Sequence, residues 1–169
     1  MIEVKASPRN TGALGSFGEA AAEVFLSEVM GHEVVADESS RDKPQGVDLV
    51  TFDPAKDRII VVEVKTTGRE AVVGPKLAKT TSTRQMSDAW VADPGASRSG
   101  TSRAAEAGLD VVQFDDIGGA VAKMVAHVNI ATGTVSLHEM NGDRVDPVAA
   151  VVVGLEDLAR FSDALREKS

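Results

Sequence analysis

Ten residues, Arg58-Ile-Ile-Val-Val-Glu-Val-Lys-Thr-Thr67, limit the folds open to this chain more than any other stretch. Side chains alternate along an extended strand. Ile59, Val61, Glu63 and Lys65 therefore take one side, and Ile60, Val62 and Val64 the other. Both sides begin apolar, so the strand should be covered on both faces, inside a layered domain. Its far end then sets a carboxylate and an ammonium where solvation is poor. Charges there are costly unless they pair or meet an ion.

The segment before it is of the same kind. Gln45-Gly-Val-Asp-Leu-Val-Thr-Phe52 opens on Asp48, runs apolar, and turns around Asp53-Pro54 into the ten-residue strand. Asp48 and Glu63 are 15 positions apart across that turn, a spacing that can bring them side by side. Upstream, Ser16 and Glu19 fit a capping box, opening a helix through Ala20, Val24, Phe25 and Val29 to Gly31. His32 to Ala36 reads as a short strand and Asp37 to Gln45 as a charged loop. Residues 1–14 read as a flexible lead-in, with the glycines from Gly12 to Gly18 leading to the helix, and 15–169 as a single domain.

Beyond Thr67, Gly68 to Ser82 is loop-like and basic. Thr83 to Val91 suits a short helix, and Ser97 to Ala107 a second one capped by Gly108. Val121 to Ile130 and Thr134 to Met140 pattern as a hairpin turning at Ala131-Thr132-Gly133. Ala149 to Val153 is a further strand, and Leu155 to Lys168 an amphipathic helix. The expectation is an α/β domain: a mixed sheet core flanked by helices, ending in a hairpin, a strand and a helix. At 169 residues the chain can bury a core without staples, and with no cysteine it has neither disulfides nor thiolate metal sites. No apolar run reaches the roughly 20 residues that span a bilayer, and Met1 to Asn10 lacks a signal-peptide core. A soluble protein with a cytoplasmic site of action is expected.

The net charge of −8 argues against indiscriminate coating of nucleic acid. The charge is uneven, however. From Lys65 to Arg103 seven basic residues face three acids, which makes that span +4 and the remainder −12. A local phosphate-facing surface beside the charged strand end follows, with Lys76, Lys79, Arg84 and Arg98 as its candidate contacts. Ordinary loop solubility is the alternative.

Two carboxylates on adjacent strands can hold a hard divalent cation through oxygen. Asp48 and Glu63 are the candidate ligands for Mg²⁺ or Mn²⁺, with the backbone carbonyl of Val64 as a third. Lys65 shares the face of Glu63 and can orient or help deprotonate an attacking water.

Gly46-Val47-Asp48, a gap, then Glu63-Val64-Lys65 closing an apolar strand resembles the PD-(D/E)xK nuclease superfamily over roughly residues 15–92. Val47 stands where the name of that family implies proline. The resemblance implies a restriction-endonuclease-like fold and metal-dependent hydrolysis of phosphodiester bonds in DNA or RNA. It also implies a supporting acid on the preceding helix, matched by Glu19, and a glutamine after the lysine strand, matched by Gln85. The run Gln85-Met-Ser-Asp-Ala-Trp90 is similar to nuclease domains of bacterial polymorphic and contact-dependent inhibition toxins. That likeness implies a delivered effector with an immunity protein as partner. A catalytically inactive binding module and a DNA repair or restriction component are the competing roles. Glu19 serves equally well as the capping-box acid, Trp90 reads as a packing residue, and His127 and His138 read as satisfied structural histidines.

Overall fold

A computed structural model describes residues 11–37, 47–71, 74–77, 85–88, 91 and 120–166. It is a mixed α/β structure. Helix α1 (Thr11–Val24) leads through a π-helical turn (Phe25–Val29) into strands β1 (Glu33–Asp37), β2 (Leu49–Asp53) and β3 (Arg58–Thr67). After the crossover come β4 (Val121–Asn129), β5 (Thr134–Asn141), β6 (Arg144–Val145), β7 (Val151–Gly154) and helix α2 (Leu155–Arg166). The sheet has seven strands in the order β1-β2-β3-β4-β5-β6, with β7 also paired to β5. Only β3 and β4 run parallel among these pairs.

The expected strand at 58–67 lies centrally in this sheet, between β2 and β4, and is covered on both faces. Ile60, Val62 and Val64 pack with Ala22, Phe25 and Leu26 of α1 and its π turn, and with Met124, Ala126 and Leu158. Val61 belongs to a second cluster on the opposite face, with Val47, Val50, Met86, Val91 and Val121. Removing a buried valine from water contributes about 1.5–3 kcal/mol. Two clusters, one on each face, therefore fix this strand in register.

Helix α1 begins at Thr11, not at Ser16. Ser16 lies inside the helix, so it forms no capping box with Glu19. One of the glycines in this stretch, Gly18, has a packing reason. A Cβ built on Gly18 would lie 1.7 Å from Thr66 Oγ1 and 3.0 Å from Thr66 Cβ. Glycine lets α1 approach the end of β3. Gly18→Ala is expected to destabilise the protein by about 1–3 kcal/mol through overpacking, despite a helix-propensity gain of about 1 kcal/mol. Urea unfolding of Gly18→Ala alone and together with Thr66→Ala checks this, with most of the loss recovered in the pair.

Other boundaries moved little. The π turn ends with Met30 N–H donating to Phe25 C=O at 3.1 Å, and Gly31 takes a φ of 71° to leave the helix. The hairpin β4–β5 turns where expected: Asn129 Oδ1 accepts from the amides of Ala131 and Thr132, and Gly133 has a φ of 65°. Strand β6 was not expected. It folds back on β5 through Asn141-Gly142-Asp143, with Gly142 at a φ of 55°. Among the described residues no helix is long and apolar enough to cross a membrane. The proposed helix at Ser97–Ala107 with Gly108, Trp90, and the loop from 38 to 46 lie outside the described residues, as do residues 1–10 of the lead-in.

Candidate active site

Strand β2 pairs with β3 from Asp53↔Arg58 to Leu49↔Val62. One further step of that register sets Asp48 opposite Glu63, which explains the spacing of 15 in the sequence. Regular pairing stops there. Asp48 instead accepts a hydrogen bond from the Val64 amide at 2.6 Å through Oδ2. A residue's N–H and C=O leave a strand on the same side. The Val64 carbonyl therefore also faces the Asp48 side, where β2 no longer covers it.

Glu63 is buried, with 2% of its surface exposed. Its Oε1 accepts from Lys65 Nζ at 2.5 Å and from Gln85 Nε2. Its Oε2 is buried without a hydrogen-bond partner among the described residues. Burial pushes the Glu63 carboxyl up to about 8, and the negative charge of Asp48 adds to this. The Lys65 ammonium and the Gln85 amide act in the opposite sense. Lys65 itself is 29% exposed at its side chain, so it bridges the buried carboxylate and the surface.

Gln85 reaches Glu63 from a turn, not from the helix expected at Thr83–Val91. Met86 takes a φ of 62°, a left-handed conformation that is uncommon for a side chain of this kind. The helical bond from Val91 N–H to Ser87 C=O at 3.0 Å shows where the helical turn starts. Two contacts hold the strained residue. Met86 is fully buried in the cluster under Val61, and its carbonyl accepts from Lys123 Nζ at 2.9 Å.

Lys123 is a positioning residue that sequence reasoning missed. Its ammonium is buried on β4 and donates to Met86 C=O, to Gly142 C=O at 2.8 Å and to the Asp88 carboxylate. All three donors are used. The available signal was a lone lysine inside Val121-Ala-Lys-Met-Val-Ala-His-Val128, a run otherwise read as strand. Lys123→Met should cost about 3–5 kcal/mol, because it leaves a carboxylate and two carbonyls without their cation. Denaturant unfolding measures that loss.

The remaining expected residues are placed as follows. Glu19 is half-buried on α1, which lies over the β3 face bearing Val62, Val64 and Thr66. Glu63 and Lys65 point from the opposite face, and none of the groups that shift Glu63 is on α1. Lys76 is exposed and stands beside Val145, Asp146 and Pro147. Lys79, Arg84 and Arg98 lie outside the described residues. His138 is satisfied as expected, by Ser136 Oγ at 3.0 Å and Asp146 C=O at 2.9 Å. His127 is not, since its Nε2 is buried without a partner among the described residues.

Among the described residues no group of three His, Asp or Glu side chains converges as a metal site. The donor set at the strand end is two carboxylates and a carbonyl. Those are hard oxygen ligands of the kind Mg²⁺ and Mn²⁺ take. The unpartnered Oε2 of Glu63, beside a second carboxylate, fits a cation there. No protein-family model matches the chain, and no curated protein or solved structure matches it.

Proposed function

We propose that the protein is a divalent-metal-dependent nuclease that hydrolyses phosphodiester bonds. One observation carries the reading. Asp48, Glu63, Lys65 and Gln85 meet at one end of a doubly covered strand, with an oxygen of Glu63 buried and without a partner among the described residues. The order α1, β1–β2–β3 and a mixed sheet supports a restriction-endonuclease-like core for the same reason. That fold sets its acids at the ends of adjacent central strands, behind an opening helix.

Asp48 and Glu63, with the Val64 carbonyl, would hold Mg²⁺ or Mn²⁺, which supplies charge neutralisation on the phosphate and activation of water. The chain's own groups do the rest. Asp48 is held through Oδ2 by the Val64 amide, so its carboxylate has a defined direction. Gln85 and Lys65 both hold Glu63 Oε1, which leaves Oε2 for the ligand. Lys65, partly exposed, presents its ammonium to solvent next to Glu63. There it can orient an attacking water or stabilise charge on the phosphate. Lys76 offers a phosphate contact on the surface.

A substrate panel tests this reading. Plasmid DNA, single-stranded DNA and total RNA are incubated with Mg²⁺ or Mn²⁺, with and without EDTA. Cleavage of at least one substrate that stops with EDTA and with Asp48→Asn is the expected result. A binding module built on the same fold would cleave none of them. Its titration with Mn²⁺ would give no heat dependent on Asp48 and Glu63.

A further inference from the structure

The face of the sheet that carries Glu63 and Lys65 continues across β4 and β5. Lys65 pairs with His127, and His127 with Ser136. Thr67 pairs with Asn129, and Asn129 with Thr134. Paired residues on neighbouring strands point to the same face. A row of polar side chains therefore starts one strand spacing, about 4.8 Å, from Lys65.

These residues line a cavity of about 420 Å³, inside the roughly 300–1,000 Å³ range of small-molecule sites. Its polar wall includes His127, Asn129, Ser136 and His138, and Glu70 stands at its margin. Ala149 and Val152 give it an apolar side. Two features say what could enter. First, among the described residues no lysine or arginine lines it and the one charged lining group is an acid, Glu70, which disfavours a phosphate. Second, His127 is 5% exposed and its Nε2 has no partner among the described residues. A buried ring nitrogen left this way costs free energy until something bonds it. Burial and the neighbouring His138 ring lower the His127 pKa, so the imidazole is neutral and able to accept as well as donate.

We propose that this cavity is a subsite for the nucleobase next to the scissile phosphate. A flat, uncharged heterocycle with several donors and acceptors suits a neutral imidazole, a serine hydroxyl and a carboxylate. The buried rings of His127 and His138, with centroids 6.5 Å apart and planes inclined at 62°, brace each other at the back of the cavity. The link to cleavage rests on the nuclease reading; base binding does not.

The test has two arms. In the first, the full chain is titrated with each common nucleoside at millimolar concentration while its histidine ring resonances are followed by NMR. The chain has three histidines. His32, held on Thr51 Oγ1 at 3.2 Å between β1 and β2, is the internal control. The expected result is movement of the His127 and His138 signals with at least one nucleoside, and a still His32. No movement with any nucleoside, equal movement of His32, or the same movement with inorganic phosphate alone overturns the proposal.

In the second arm, cut sites in a random-sequence substrate are sequenced. Wild type should favour one base beside the cut by at least about fivefold, the discrimination of one good base contact. Ser136→Val, a change suited to a strand, should flatten that preference, and His127→Gln should alter it. A preference untouched by both variants overturns the subsite. If no substrate is cut, the nuclease reading fails and the nucleoside titration still decides the cavity.

Discussion

Lys65→Ala is expected to slow cleavage at saturating Mg²⁺ by about 10²- to 10⁴-fold, the usual contribution of a positioned proton-transfer group. Two effects must be separated to read that number. Lys65 holds Glu63 Oε1 and lowers the Glu63 pKa. Its removal therefore also weakens the carboxylate as a ligand at neutral pH, which raises the metal concentration needed. Saturating metal removes this second effect, and single-turnover rates then report the chemical step. Lys65→Arg sharpens the test. Arginine keeps the charge beside Glu63 but is a planar, permanently protonated fork. It should restore metal affinity more than rate. A Lys65→Ala enzyme within about threefold of wild type at saturating metal would remove Lys65 from the mechanism.

The placement of that lysine was legible in the sequence because period-two alternation is a local property. Val61, Glu63 and Lys65 had to share a face wherever the strand went. That Asp48 comes beside Glu63 was legible too, since a short turn between antiparallel strands fixes register. The Gln85 turn was not. Thr83 to Val91 has the composition of a helix, and nothing local marks Met86 for a positive φ. That conformation is imposed by the cluster beneath Val61 and by Lys123, both distant in sequence. Gln85 was reached only through resemblance. Gly18 shows the converse error. Glycine lowers helix propensity, so the helix was expected to open only at Ser16, whereas α1 begins at Thr11 and close approach to Thr66 is what requires Gly18. The β6 turn was legible and overlooked: Gly142-Asp143 is a two-residue hairpin signal.

Glu63→Gln should remove a pH dependence of stability that the metal-free wild type must carry. The folded pKa of Glu63 is about 8, against an ordinary value of 4.5. Between those values the folded state holds a proton that the unfolded chain has released. Stability is therefore fully present below pH 4.5 and falls as pH rises towards 8. The slope approaches about 1.4 kcal/mol per pH unit. Above that window the loss is complete and the curve is flat. Glutamine cannot ionise, so the variant should lack this slope and be the more stable protein at the alkaline end. Cation binding should act in the reverse sense. It needs the carboxylate, so at pH 7 it should release a proton and stabilise wild type by about 2.7 kcal/mol at a hundred times Kd. Neither effect should survive in Glu63→Gln. Urea unfolding at pH 5, 7 and 9, with EDTA and with Mn²⁺, reads all of these together. Parallel pH profiles for the two proteins would mean that Glu63 is solvated and the strand end is not the enclosed site on which the chemistry depends.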